Sequence, residues 1–436
     1  MKILFVYFNL NSPISYSCGV AYLSAILKKE RYKVDILHLN DLWLDTSPIE
    51  AVMNQVRAGD YNVVCCSAIS SQQKYLLDVL RNLQELGPHR PWIIVGGLLA
   101  TFDPESVKGL ADFIVRGEAE ESLPGILDAI QNNDFSGQVI SQGFIDLNDL
   151  PPMDMEAFDY DKIIRYKNGW LEMMIGRGCP FSCSYCFNEE IKNLYGSEGY
   201  IRFKPIDLVI EELSQLKNQC LGLRVINFVD DNFTYDLSYL GNLMEQYSRE
   251  IALPYLCASR SEFLGDEAIE ILKDSGCKMV RMGLESGSED LKRKVLNRHD
   301  SNEHIIYTAR KLQEAGIEVG LFNIIGIPGE TGKDIEHTLR LNAAIKPATS
   351  KRSILLPFKG TDVYRQWEKQ IDKQALFNQT QYNNCKSVFM FDQGWHDMIE
   401  YYRINWAVEL SKASGVKYDF LWDWSVAVRE DYGGIV

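Results

Sequence analysis

The sequence has no apolar run long enough for a membrane-spanning helix. Its opening, MKILFVYF, enters a short apolar strand without the regions of a secretory signal. A cytoplasmic protein with no membrane partner is therefore expected. Basic residues are in deficit: 45 Lys and Arg stand against 60 Asp and Glu, a net charge of -15. Nucleic-acid affinity rests on cations that neutralise phosphates, so a general polyanion binder is excluded. Histidine is scarce, and the six present (His38, His89, His299, His304, His337 and His396) show no ligand spacing. The ten cysteines, in a chain of this size without a leader, read as reduced thiols or metal ligands and not as a disulfide scaffold.

What is present is a globular composition, 46% hydrophobic and 24% charged over 436 residues, enough for two domains and an appendage. Residues 1–131 alternate short β-branched runs, at 3–7, 33–37, 63–67, 92–95 and 113–115, with amphipathic stretches. This predicts an α/β fold beginning with a doubly wound, flavodoxin-like parallel sheet, whose ligand crevice lies beyond the carboxyl ends of its strands. Residues 132–169 are polar, carry Asn132-Asn133-Asp134 and Pro151-Pro152, and are expected to be a linker. From 170 to 363 the alternation restarts, with strands expected at 171–175, 225–229, 255–258, 279–284, 319–325 and 354–357. Helices are expected over 206–216, 237–250, 266–274, 302–315 and 331–344. Six units are too few for an eight-unit barrel, so a partial (β/α) six-strand barrel is expected, with its chemistry at the carboxyl ends of the strands. Residues 364–436 form a mostly helical tail, with one helix over 396–413 stopped by Gly415.

Directly after the first of these later strands comes Gly176-Arg177-Gly178-Cys179-Pro180-Phe181-Ser182-Cys183-Ser184-Tyr185-Cys186, three thiols within eight residues. One loop of this kind can wrap an iron-sulfur cluster. Three cysteines on four irons leave one iron open to a substrate or cofactor. Zinc would want a fourth ligand, and none stands at conventional spacing. Three core cysteines are the other alternative.

This Cys-x3-Cys-x2-Cys spacing, with aromatic Tyr185 before the third cysteine, resembles the signature of radical S-adenosylmethionine (SAM) enzymes. The resemblance implies a 4Fe-4S cluster on Cys179, Cys183 and Cys186, with its open iron chelating the amino and carboxylate groups of SAM. Reductive cleavage would give methionine and a 5′-deoxyadenosyl radical, with Tyr185 near the adenine. It also implies that Asp230 and Asp231, at the end of the second strand, meet the methionine ammonium in place of the commoner Gly-Gly-Glu. Arg260, Glu285 and Ser286 would contact carboxylate, amino or ribose groups, and Gly326 would form the adenine-side turn. Pro357-Phe358-Lys359-Gly360-Thr361 follows the sixth strand in a similar way, while Thr331 with Asp334 also makes an ordinary capping box.

The first domain resembles the cobalamin-binding domain that precedes the radical barrel in one branch of that family. The resemblance rests on residues 17–23, Ser67-Ala68-Ile69-Ser70, Gly96-Gly97 and residues 115–120. Ser67, Ser70, Gly96, Gly97 and Gly117 would meet the corrin, since glycine lets backbone approach a macrocycle and hydroxyls bond its amide arms. There is no Asp-x-His-x-x-Gly motif, and Leu98-Leu99 follows the paired glycines where many relatives carry a histidine, so no lower cobalt ligand is evident. A doubly wound domain without a cofactor is the alternative. Cys65 and Cys66, and with them Cys18, read as core thiols.

Together these features imply a cobalamin-dependent radical methyltransferase acting on a metabolite, a natural-product intermediate or a peptide, with flavodoxin or ferredoxin as electron donor. A cyclase or other oxidoreductase of the same branch, without methyl transfer, is one alternative. A non-catalytic cobalamin-binding or scaffold protein that keeps a cluster is another. Trp395, Tyr401, Tyr402, Trp406, Phe420, Trp422 and Trp424 either wall a substrate chamber over the barrel or form a small aromatic core.

Overall fold

The computed structural model describes residues 1–134, 139–380, 385–421 and 424–427, which divide into two compact units. The first comprises Met1–Asn168, Ile191–Gly222 and a short segment beginning at Phe377; the second comprises the remainder.

The first unit is built on six parallel strands: β1 (Lys2–Phe8), β2 (Lys33–Leu39), β3 (Val63–Ser67), β4 (Trp92–Gly96), β5 (Phe113–Gly117) and β6 (Val139–Gln142). Their spatial order is β2-β1-β3-β4-β5-β6, the flavodoxin-like order with one strand added. Ile3, Leu4 and Val6 of β1, like Val63 and Val64 of β3, have no exposure at all. Such continuous apolar strands are stable only where helices cover both faces. Five helices do so: α1 (Cys18–Lys29), α2 (Pro48–Gly59), α3 (Gln73–Gln84), α4 (Gly97–Phe102) and α5 (Ser122–Asn132). Local chemistry fixes where they start; α2 opens with Pro48 behind a capping box made by Ser47 and Glu50.

The stretch expected as a linker is folded. It supplies β6, which pairs with β5 from Ile114 opposite Val139 to Gly117 opposite Gln142, and a short helix, α6 (Tyr160–Tyr166). Leu147, Met153, Phe158 and Ile163 are buried. These apolar residues sit singly between polar ones and dock one at a time, so they leave no periodicity to read. A second correction concerns α7 (Ile206–Gln219), expected in the barrel but grouped with the first unit. Its fully buried Glu212 accepts from Tyr22 Oη at 2.7 Å, Met153 N at 3.0 Å and Lys204 Nζ at 2.8 Å. Every oxygen of that carboxylate is matched by a donor of the same unit.

The second unit is one sheet with six adjacent parallel strands: β7 (Trp170–Met173), β8 (Val225–Phe228), β9 (Tyr255–Ala258), β10 (Cys277–Glu285), β11 (Glu318–Ile325) and β12 (Thr349–Ile354). They form the expected partial barrel. Residues alternate sharply along them. Leu171, Met173, Val280, Met282, Leu284, Val319 and Leu321 have no exposure, whereas Glu172, Arg281, Phe322, Lys351 and Ser353 are half-buried. One face therefore packs on helices, and the other is left partly open and polar.

The sixth strand lies at Thr349–Ile354 and not at 354–357. The apolar run Leu355-Leu356-Pro357 mimics a buried strand but is a buried connection beyond the strand end. The tail is mostly helical, as expected, with two short strands added. After α12 (Gln393–Ser414), which ends at the expected Gly415, come strands β13 (Tyr418–Leu421) and β14 (Trp424–Ala427); β14 pairs antiparallel with β12, and β13 pairs antiparallel with β14. No helix among the described residues is long and apolar enough to cross a membrane.

Removing one partner of a buried ion pair strands the other, at a cost of about 3–5 kcal/mol. Glu212→Ala should therefore lower the urea midpoint of the first unit by that equivalent, and Glu212→Ala with Lys204→Met by less. Urea titration followed by fluorescence reads both; equal losses in the single and double variants would contradict the account.

Candidate active site

The cysteine loop leaves β7 through Met174 and Ile175 and is held on both flanks. On one side Asp230, just past β8, accepts from the amides of Ile175 at 3.0 Å and Gly176 at 2.7 Å. On the other, Ser184 N donates to Leu296 O at 3.0 Å, Asn297 Nδ2 to Ser182 O at 2.6 Å and Val363 N to Ser184 O at 2.9 Å. Cys179 and Cys183 are buried and Cys186 half-buried. Burial pushes the Cys179 thiol up to about 11 and the Cys186 thiol up to about 12. It raises Cys183 as well, against the opposing charges of Arg298 and Arg260. Thiols in this setting do not ionise alone; they become ligands when a metal supplies the positive charge. A loop fixed at both ends, carrying three such thiols and no competing disulfide among the described residues, fits a cluster that leaves one iron open.

Beside the loop lies a buried network of charge. Tyr185 Oη donates to Glu285 Oε1 at 3.2 Å, and Arg298 Nη1 approaches the same oxygen at 3.3 Å. Arg298 Nη2 donates to Gly283 O at 2.8 Å and to Asp300 at 3.1 Å. Asp300, whose side chain is wholly enclosed, also meets Arg260 Nη2 at 3.3 Å and Lys292 Nζ at 3.7 Å. Burial alone would raise the Asp300 carboxyl, but Arg298, Lys292 and Arg260 together hold the group below the usual carboxylate range. Glu285 goes the other way: burial lifts it, with Arg298 opposing.

Glu285 has a left-handed backbone, φ 59°, just past a bulge in β10. A non-glycine residue in that region costs about 1–3 kcal/mol and persists where its surroundings over-determine it. Here they do. A Cβ on Gly283 would stand 2.3 Å from Glu285 Oε1, so the glycine is what lets the carboxylate lie against the strand.

The strand ends thus bring Cys179, Cys183, Tyr185, Cys186, Asp230, Arg260 and Glu285 to one side of the sheet. Their roles divide. Both Asp230 oxygens serve the backbone entering the loop. Asp231 stands at the solvent mouth, where crowding by protein raises its carboxyl against a hydrogen bond from Asn188. Ser286 Oγ accepts from Ser288 N at 3.2 Å, a local turn. Gly326 N donates to Glu330 Oε2 at 2.7 Å. Two buried polar atoms at these strand ends have no partner among the described residues: Asn232 Nδ2 and Glu330 Oε1. Unmet buried groups of this kind suit a polar ligand.

Sequence patterns do not single out Lys292, Arg298 and Asp300. In Leu291-Lys292-Arg293-Lys294 and Arg298-His299-Asp300 they look like an ordinary solvated charge run. The only hint is Ser301-Asn302, a helix start that places Asp300 at its entrance.

In the first unit, Ser67, Ser70, Gly96, Gly97 and Gly117 gather at the carboxyl edge of β3, β4 and β5, all half-buried. Ser67 and Gly96 are register partners. Gly97 has φ 87°, and a Cβ there would lie 2.8 Å from Ala68 O and 3.0 Å from Ser67 Oγ. Gln72 Oε1 and Ser122 Oγ, on the segments after β3 and β5, are buried and without partners among the described residues. This edge offers open backbone and neutral hydrogen-bonding groups, which fit the amide-fringed corrin. Cys65 and Cys66 are core, as expected. His38 is enclosed by Tyr7, Trp43 and Phe158, and burial holds its imidazole down to about 4.

Of the tail aromatics, Trp406 is buried in a core shared by β12, α11 (Gly332–Ile345) and α12, with Nε1 donating to Ser350 Oγ at 3.0 Å. Trp395 Nε1 donates to Glu330 O at 3.1 Å, while Tyr401 is exposed. Trp422 and the side chains of Phe420 and Trp424 lie outside the described residues.

Residues 173–341 match the Radical SAM superfamily and residues 13–127 the B12 binding domain. The chain is 23% identical over 378 residues to an uncharacterized methyltransferase of Pyrococcus horikoshii, covering 82% of this chain and 79% of that one. It is 25% identical over 416 residues to the anaerobic magnesium-protoporphyrin IX monomethyl ester cyclase of Cereibacter sphaeroides, covering 88% and 66%. Among solved structures, the radical SAM methyltransferase TsrM from Kitasatospora setae superposes with a TM-score of 0.71 at 16% identity, over 85% of this chain and 76% of that one. The cobalamin-dependent radical enzyme OxsB does so at 0.65 and 14%, over 99% and 64%. At these identities the structures establish the shared fold, while the family matches fall on the two elements already described, the cysteine loop with its strand ends and the glycine-edged sheet. Residues 173–341 are thus a radical SAM domain, preceded over residues 13–127 by a B12-binding domain.

Proposed function

We propose that this enzyme is a cobalamin-dependent methyltransferase that acts in the cytoplasm on an unactivated carbon of a metabolite, natural-product intermediate or peptide. Flavodoxin or ferredoxin supplies its electrons. The observation that carries the reading is the pairing, in one chain, of a clamped three-thiol loop with a sheet edge of open glycines, both at carboxyl ends of parallel strands. The relatives named methyltransferases favour methyl transfer. The cyclase relatives favour a second reading, ring closure without methyl transfer.

When bound, the cluster supplies the electron that cleaves SAM, and cobalamin supplies the methyl group. The residues of the chain do the rest. Cys179, Cys183 and Cys186 ligate the iron. Asp231, at the mouth, and the buried Asn232 would meet the charged amino-acid end of SAM, and Tyr185, Glu285 and Gly326 the nucleoside. Ser67, Ser70, Gly96, Gly97 and Gly117 receive the corrin. Glu172, Arg281 and Lys351 on the open strand face present charge to the substrate, with Arg281 bonded to Asn227 and laid over Gly320, whose missing Cβ leaves it room.

Burial pushes the Glu330 carboxyl up to about 8, against hydrogen bonds from Gly326 and Ile327. Its folded-state value lies above the unfolded one, so between those values the folded form holds a proton that the unfolded form releases. Stability contributed by this group is complete at low pH and falls as pH rises, by at most about 1.4 kcal/mol per pH unit. Glu330→Gln keeps the acceptor oxygen for both amides and should flatten that slope between pH 5 and 8, as read by urea midpoints across the range. An unchanged slope would contradict it.

Three further outcomes test the function. Anaerobic incubation with dithionite and methyl-labelled SAM should release 5′-deoxyadenosine and give a labelled, heavier product, whereas product without label would establish the cyclase reading. Replacing all three cysteines with alanine should abolish iron content and reduce nucleoside release to background. Gly97→Ala, forced into a left-handed backbone and against Ala68 O, should cut corrinoid retained per chain at least about tenfold, the equivalent of ~1.4 kcal/mol, while far-ultraviolet dichroism stays unchanged. Retention at the original level would remove Gly97 from the corrin edge.

A further inference from the structure

Arg260 is held in a way that a simple SAM contact does not require. Its planar guanidinium lies over the ring of Phe181, 3.6 Å from the centroid, inside the cysteine loop. Nε donates to Glu262 Oε2 at 3.2 Å, and Nη2 pairs with the other Glu262 oxygen and, at 3.3 Å, with Asp300. With that edge committed to carboxylates, Nη1 is turned toward Cys183 Sγ at 3.5 Å. Asp300 is itself fixed by Arg298 and Lys292. Stacking sets the plane of the guanidinium, and the two carboxylates set its rotation, so the direction of Nη1 is determined twice over.

From this geometry we infer that Arg260 sets the reduction potential of the cluster by donating a charge-assisted hydrogen bond to the Cys183 ligand sulfur. The inference rests on the three cysteines holding the cluster. Hydrogen bonds and positive charge at ligand sulfurs stabilise the more negative, reduced state, and so raise the potential. A higher potential eases loading of the electron from the external donor, the event with which the family's chemistry starts. The buried carboxylates nearby, Glu285 and Asp300, act in the opposite direction, and Arg260 is the cation whose hydrogen points at a ligand. Arg260 is thus a positioning and tuning residue. Lysine cannot replace it, since an ammonium offers no planar fork to stack on Phe181 while bonding Glu262 and Cys183 together.

The test is a redox titration of the full chain, reconstituted anaerobically with iron and sulfide and followed by electron paramagnetic resonance. Arg260→Gln should keep the wild-type iron content and move the midpoint to more negative values, so that the reduced-to-oxidised ratio at the wild-type midpoint drops about tenfold, or ~59 mV for one electron. Arg260→Lys should move it in the same direction by less. An unmoved midpoint in iron-loaded Arg260→Gln overturns the inference and leaves the cluster reading intact. If Arg260→Gln takes up no iron, Arg260→Lys decides by the same criterion, and loss of iron from both assigns Arg260 a purely structural role, which also overturns it. Wild-type protein without iron would instead overturn the cluster reading itself.

Discussion

The constraint on which the second unit depends is charge balance in a place water does not reach. Arg260, Arg298 and Lys292 are buried together with Glu285 and Asp300, beside thiols whose burial disfavours their ionised form. An unpaired charge there would cost several kcal/mol, so none of these groups is tolerable without the others. That interdependence joins parts of the chain far apart in sequence. The loop contributes Phe181, Cys183 and Tyr185, β9 leads into Arg260, and β10 bends through its bulge to present Glu285. The 291–300 segment closes the set, its backbone clamping the loop at Ser184 and its side chains fixing the guanidinium of Arg260. The left-handed backbone of Glu285 is strain that this web of partners holds in place.

The second unit also departs from the usual economy of a parallel sheet, in which both faces are buried. Its helix-facing residues pack without exposure, while the opposite face keeps Glu172, Arg281, Phe322 and Lys351 only half-covered. A closed barrel fills its interior with layers of branched side chains. This partial one does not, and stability has to come from the outer layer instead. The core shared by α11, α12 and β12, with Trp406 at its centre, is where the tail makes that contribution. The aromatic richness of the tail is explained at Trp406 by packing, and at Trp395 by a hydrogen bond to the Glu330 carbonyl beside the site.

Legibility in the sequence followed periodicity and spacing. Strands such as 63–67 and 319–325 stand out as β-branched runs, and the thiol trio announces its loop by spacing alone. The sixth strand is hidden because Leu355-Leu356-Pro357 is more apolar than Thr349-Ser350-Lys351-Arg352-Ser353, although the second segment carries the ladder. Residues 139–166 were illegible because isolated apolar side chains among polar ones carry no period. Charged positions were hardest. Lys292, Arg298 and Asp300 resemble surface residues until the fold encloses them. Asp230 sits at the strand end where the family resemblance places a ligand contact, yet it serves the amides of Ile175 and Gly176, because a carboxylate near the start of a loop meets exposed backbone donors before it meets solvent.

The two units also differ in what they offer a ligand. The first presents glycine backbone, hydroxyls and an amide oxygen, with no charged side chain among Ser67, Ser70, Gln72, Gly96, Gly97 and Gly117. The second presents carboxylates, guanidinium groups and thiols. A broad macrocycle fringed with amides is best met by close-approaching backbone and neutral hydrogen bonds, since charges around it would be desolvated without a counter-charge. A zwitterionic sulfonium on an iron cluster is best met by fixed charges of both signs, which in a water-poor site act with little screening. Each unit therefore has the chemistry suited to one cofactor and unsuited to the other, and the fold keeps the two sets of residues on separate sheets.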